Sequence, residues 1–146
     1  MTYQTTLSCK ILINFQENSH KFLDSDVDFL QGFYQLHTLI LDNNQISSTS
    51  NFPRLPKLSA LYVNCNLVTV LEPFIEKLKN CFPALQYLSL LGNEACPAFS
   101  KGPHHYYNYR IYIISKLRKL TQLDSSPVTP EEYRHAQSLI PAEEND

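Results

Sequence analysis

The chain has 146 residues, of which 43% are hydrophobic and 18% charged, and its net charge is −2. That length suits one domain, and that apolar share suffices for a core and excludes a disordered chain. Lys and Arg are scattered rather than striped, which argues against a nucleic-acid surface, and no apolar run is long enough to span a membrane.

Residues 1–35 contain one strand-like pattern, KILINF, followed by an acidic and aromatic stretch, DSDVDFLQGFYQL. The N-terminus has no early cationic region, so no signal peptide is expected. Phe22, Phe29, Leu30, Phe33 and Leu36 are expected to pack inward, with Asp24, Asp26 and Asp28 in water. The three Asp do not make a calcium loop, because the Gly at the sixth loop position and the Glu at the twelfth are missing.

From Leu36 onward a template recurs: apolar, two free, apolar, one free, apolar, two free, Asn. Leu36/Leu39/Leu41/Asn44, Leu58/Leu61/Val63/Asn66 and Leu85/Leu88/Leu90/Asn93 fit it, with Ile46, Val68 and Ala95 following. The alternating apolar positions make a short strand that turns them to one side. An Asn amide both donates and accepts, which suits a tight bend with unpaired backbone groups. These matches resemble the leucine-rich repeat. The resemblance implies an α/β fold: a short right-handed solenoid with a parallel concave sheet. Ile13, Phe15 and Asn18 also fit, with Lys10 in the first place. Residues 1–35 are therefore expected to be a degenerate first repeat or an N-terminal cap. The repeats run over 36–57, 58–84 and 85–108, the C-terminal cap over 109–135 and a polar tail over 136–146.

The convex side is expected to mix 3-10 and helical segments. SSTSNFPRLPK has two Pro and no helical period, so it should cross as extended chain or a single 3-10 turn, with Phe52, Leu55 and Leu58 inward. Phe74, Leu78 and Phe82 recur four apart beside Ile75, between Pro73 and Pro83. A helix over 72–81 is expected, with Glu76, Lys77 and Lys79 in water. SKGPHHYY reads as a loop, and its two His lack zinc-ligand spacing toward Cys96. Tyr109, Tyr112, Ile113 and Lys116 then share a helical face, and Leu117, Leu120 and Leu123 lead into a last strand. Thr129, Pro130 and Glu132 make a capping box for a terminal helix.

The run Tyr109, Arg110, Tyr112, Leu120, Leu123, Asp124 resembles the C-terminal cap of intracellular leucine-rich proteins, such as the spliceosomal A-prime protein and the acidic nuclear phosphoproteins. There an aromatic helix covers the last strand and the Asp takes up backbone donors. LILDNNQI (39–46), PALQYLSLLGNEACP (83–97) and YRIYIISKLRKLTQLD (109–124) are similar to the family of the leucine-rich melanocyte differentiation-associated protein. That resemblance implies a non-enzymatic intracellular adaptor, cytoplasmic or else nuclear, linked to melanocyte differentiation. A ribonucleoprotein component and a ciliary or axonemal subunit share the fold and stand as alternatives.

The chain contains Gly only at 32, 92 and 102, and no Gly-x-Ser-x-Gly or His-Glu-x-x-His motif. No catalytic residue, cofactor or metal is expected. Cys9, Cys65, Cys81 and Cys96 show no paired spacing, which points to a reducing compartment and buried thiols. The template leaves Thr38, Ile40, Asp42, Tyr62, Asn64, Tyr87, Ser89 and Leu91 free on the concave face, with Ala60, Gln122, Asp124 and Ser126 continuing the columns. Ile40, Tyr62, Tyr87 and Leu91 form an apolar patch there that points to a protein partner for a monomeric chain.

Overall fold

The computed structural model describes residues 2–6, 10–14, 24–98 and 101–142, with side chains over 10–12, 28–98 and 101–142. β1 (Thr2–Thr6) and β2 (Lys10–Asn14) form an antiparallel hairpin. β3 (Thr38–Ile40), β4 (Ala60–Tyr62), β5 (Tyr87–Ser89) and β6 (Gln122–Leu123) add in parallel, and β7 (Ser126–Pro127) folds back on β6. Among the described residues these seven strands make one sheet in chain order. A hairpin thus closes each end of the parallel stack, where an open edge would invite a foreign strand.

The stacking register follows the template. Leu39, Leu61, Leu88 and Leu123 are successive Cα partners headed by Ile11, and none is more than 2% exposed. Ile11 rather than Ile13 stands beside Leu39, so the expected register of the first strand is two residues out. A slip of two keeps each residue on its face, which is why the apolar alternation could not detect it. Phe15, Asn18, Phe22 and Cys9 lie outside the described residues. A 3-10 helix (Asp24–Gly32) leads into β3 and buries Leu30 completely. Phe33 does not turn inward as expected: it is 39% exposed and meets Phe29 edge-on at 6.1 Å.

Residues 47–58 cross without a helix and bury Phe52, Leu55 and Leu58. The neighbouring crossing is α1 (Leu71–Cys81), one residue longer at its start than expected. It buries Phe74, Ile75 and Leu78, and the Phe52 ring meets Phe74 and Phe82 at 6.2 and 5.6 Å. Lys77 is not simply in water: its Nζ donates to the carbonyls of Thr49 and Ser50, tying the helix to the extended crossing. α2 (Pro103–Lys116) starts where a loop was expected, so His104, His105, Tyr106 and Tyr107 are helical. Gly102 at φ 102° turns the chain and Pro103 opens the helix, a start signal carried by only two residues. The cysteines also differ from expectation: Cys65 is exposed, and Cys81 and Cys96 are half-buried.

The template Asn bind neighbouring repeats together. The Asn66 amide nitrogen donates to the carbonyls of Leu41 at 3.0 Å, Val63 at 2.9 Å and Asn64 at 3.1 Å. Its Oδ1 accepts from the Asn44 and Ile46 backbone N–H groups, both at 3.1 Å. Asn93 repeats the pattern, donating to Val63 and Leu90 at 2.9 Å and accepting from Val68 at 3.0 Å. Asn44 donates to Leu41 at 2.8 Å. The residue before each Asn lies in the left-handed region: Asn43 at φ 57°, Cys65 at 54° and Gly92 at 77°. Asn and Gly tolerate that conformation, whereas Cys is strained by it. A Cβ added at Gly92 would lie 2.8 Å from the Cys65 Sγ.

Arg110 fastens the C-terminal end and is only 4% exposed. Its guanidinium forms a forked ion pair with Glu132 on α3 (Pro130–Ser138), and donates to the Leu123 and Pro127 carbonyls at 2.9 and 3.1 Å. Glu132 also closes the expected capping box: it accepts the Thr129 N–H at 2.9 Å, and the Thr129 hydroxyl accepts the Glu132 N–H at 3.2 Å. Burial pushes the Glu132 carboxyl up, but Arg110 and Thr129 outweigh it and hold the pKa below the ordinary 4.5.

The Glu132 pKa is depressed on folding, so its contribution is complete above the unfolded value and fades as pH falls through the folded one. The urea midpoint should drop as pH is lowered past about 4.5, and Glu132→Gln should flatten part of that slope, while Arg110→Ala should cost about 3–5 kcal/mol at neutral pH. Gly92→Ala should cost about 1–3 kcal/mol, and adding Cys65→Gly should restore the share due to the thiol but not the share due to φ. Identical effects of Gly92→Ala in both backgrounds would exclude the steric share.

Candidate protein-binding face

The sheet face turned away from the leucine core is built by strand alternation. Ile11, Leu39 and Leu61 point into the core, so their neighbours Leu12, Ile40 and Tyr62 point out, and these three are Cα partners in one row. Lys10, Thr38, Ala60, Tyr87 and Gln122 make the next row. Leu12 is 38% exposed, Tyr87 40% and Leu91 39%, whereas Ile40 and Tyr62 are half-buried. Leu12 was missing from the expected set, although alternation turns it outward in either register of the first strand.

Several residues expected on this face are committed elsewhere. Ser89 is 4% exposed, and its hydroxyl donates to Asn64 Oδ1 at 2.6 Å. Asp42 is half-buried, and its Oδ1 accepts the Asn64 N–H at 2.8 Å. Asp42, Asn64 and Ser89 therefore form a polar chain across three repeats instead of offering groups to a partner. Ala60 is buried, and Thr38 is half-buried. Asp124 is 7% exposed at φ 57°, and so stands apart from the free column. Its Oδ1 accepts the Leu90 N–H at 2.9 Å and the Tyr109 hydroxyl at 3.4 Å, and its Oδ2 accepts the Tyr106 hydroxyl at 2.9 Å.

In the cap, Tyr109, Leu120 and Leu123 are buried, as are Arg110, Ile111, Ile113 and Ile114 along α2. Tyr112 is only half-buried, though its hydroxyl is enclosed and has no hydrogen-bond partner among the described residues. Burial and then Asp124 push the Tyr106 hydroxyl up to about 12 and the Cys96 thiol up to about 11, and Tyr109 is driven further in the same direction. None of these groups releases a proton near neutral pH, so the cluster supports the fold and not acid–base chemistry. His37, near the start of β3, is exposed. Among the described residues no group of three or more His, Cys, Asp or Glu could hold a metal ion, and no helix is long and apolar enough to cross a membrane.

No protein-family profile matches the chain. In sequence it is 39% identical to the leucine-rich melanocyte differentiation-associated protein of Homo sapiens, over 81% of this chain and 62% of that protein. It is 32% identical to U2 small nuclear ribonucleoprotein A' of Arabidopsis thaliana, over 75% of this chain and 50% of that protein. It thus spans less than two thirds of either relative. Among solved structures, the Drosophila melanogaster SNF/U2A' complex contains a chain similar at TM-score 0.48 and 20% identity, over 88% of this chain and 79% of that one. With a template repeated in sequence and the same residues stacked strand upon strand, the chain has a leucine-rich repeat fold, and in sequence it is similar to the leucine-rich melanocyte differentiation-associated protein.

Proposed function

We propose that the chain is a non-enzymatic intracellular adaptor that binds another protein across the open, concave face of its sheet. The observation that carries this is the outward apolar row of Leu12, Ile40 and Tyr62, flanked by Tyr87 and Leu91. The core is complete without these side chains, since the template Leu are already enclosed. Aromatic anchors on a preformed surface are the usual source of interface energy. Cys65, Cys81 and Cys96 are free, which supports a reducing compartment, and we place the protein in the cytoplasm. The human relative is named for melanocyte differentiation, and we extend an adaptor role of that kind to this chain.

The similarity to a ribonucleoprotein A' subunit favours a second reading, a component of an RNA–protein particle. The two outward rows carry one cation, Lys10, so they offer little to neutralise phosphates. In this reading too the open face would hold a protein.

Tyr62→Ala combined with Tyr87→Ala should shift the melting temperature by less than about 4 °C. Affinity for a partner, found by affinity capture and mass spectrometry and then purified, should fall about tenfold or more. If the double variant unfolds, the two Tyr are structural and the face is misassigned. Titrations at low and physiological salt separate the readings: direct RNA binding would weaken steeply, and an apolar protein contact would hardly change.

A further inference from the structure

A different surface lies where the chain enters β5 and β6. A groove of about 470 Å³ opens there over an apolar floor of Phe82, Pro83, Leu85 and Leu117. Lys79, Lys116, Arg118 and Lys119 stand around it. Lys79 and Lys116 lie in the last turns of α1 and α2, where the helix dipole favours a cation. That accounts for two of the four. Arg118 and Lys119 lie in the turn between α2 and β6. Glu76 approaches Lys116 at 3.5 Å. Among the described residues Lys79 and Lys119 make no ion pair or hydrogen bond, and both are exposed. On a chain of net charge −2 this is a local concentration of positive charge.

We propose that this groove binds an acidic peptide segment of a partner protein, with carboxylates on the Lys and Arg rim and one aliphatic side chain on the floor. Charge and shape support it together. Pro83 is the exposed part of the floor, and Phe82 and Leu85 beneath it are only 1% and 2% exposed, so an aliphatic side chain would meet the proline ring over a packed base. The same burial disfavours nucleic acid, because bases need an exposed aromatic face to stack on, and the Phe82 ring offers none. The groove is separate from the Leu12–Ile40–Tyr62 row and does not depend on what that row binds.

The test is fluorescence polarisation of the full chain with a fluorescein-labelled peptide of Asp and Glu carrying one central Leu. Saturable binding is expected at low salt, weakening as salt is added. Lys79→Glu with Lys119→Glu should weaken it about tenfold, and because both residues are exposed the melting temperature should hold. Changing the peptide's Leu to Ser should also weaken binding severalfold, and no change would overturn the role of the floor. Tyr62→Ala with Tyr87→Ala should leave it unaltered, so failure of this groove and failure of the open face are distinguishable. Absence of binding at low salt, or equal binding by the charge-reversed protein, would overturn the proposal. Tighter binding of a single-stranded RNA oligonucleotide than of the peptide would overturn it in favour of nucleic acid.

Discussion

β3, β4 and β5 are each three residues long, so the ladder alone gives each repeat little purchase on the next. The buried Asn supplies the remainder. Asn66 reaches two carbonyls of its own turn, one carbonyl of the preceding strand and two N–H groups of the preceding bend. Each such bond contributes about 1 kcal/mol net, but an unmatched buried donor costs about 1–3 kcal/mol, so the amide matters most for what its loss would leave unpaired. Only a side chain that donates and accepts at once can serve both repeats. The same bend explains the left-handed residue before each Asn, because the chain must reverse sharply to aim the amide inward.

At the solenoid's last turn the partners change, because the side chain that reaches back to the preceding repeat also meets Tyr hydroxyls from α2. Asp124 takes over with a carboxylate that only accepts, and the donors facing it are the Leu90 N–H and two Tyr hydroxyls. The helix that carries those Tyr also carries Arg110, whose charge is matched by Glu132 and whose remaining donors reach carbonyls of β6 and β7. A buried guanidinium is tolerable only when its donors are met, and here α2, both short strands and α3 meet them. At the other end a hairpin of five-residue strands closes the stack.

What could be read in the sequence divides along physical lines. The Leu and Asn were legible because they repeat and because their chemistry is the same at each occurrence. The left-handed position before the Asn was not, because Asn43, Cys65 and Gly92 share a backbone conformation and no side-chain property. Arg110 was recognisable as part of the cap motif, but its burial was not, because its partner Glu132 lies 22 residues away. Ser89 and Asp124 fell on outward columns by parity, yet Asn64 covers one, and Tyr106 and Tyr109 the other. Parity shows which way a side chain leaves the strand and says nothing of what then folds over it. The cations of the groove looked scattered at 79, 116, 118 and 119, and only the docking of two helix ends brings them together.

The two proposed surfaces differ in chemistry. The open face is apolar and close to neutral, so its affinity should come from desolvation and change little with salt. The groove is cationic, so its affinity should come from charge and fall with salt. Both belong to one frame whose core residues are almost wholly enclosed. Two ligands that each meet a preformed surface without favouring one state of the frame over another should not change each other's intrinsic affinity. What the frame can do is hold both within reach, so that a partner carrying an apolar helix and an acidic segment binds the second from a raised effective concentration. On this proposal selectivity would rest on the fixed distance between the Leu12–Ile40–Tyr62 row and the Lys and Arg rim of the groove.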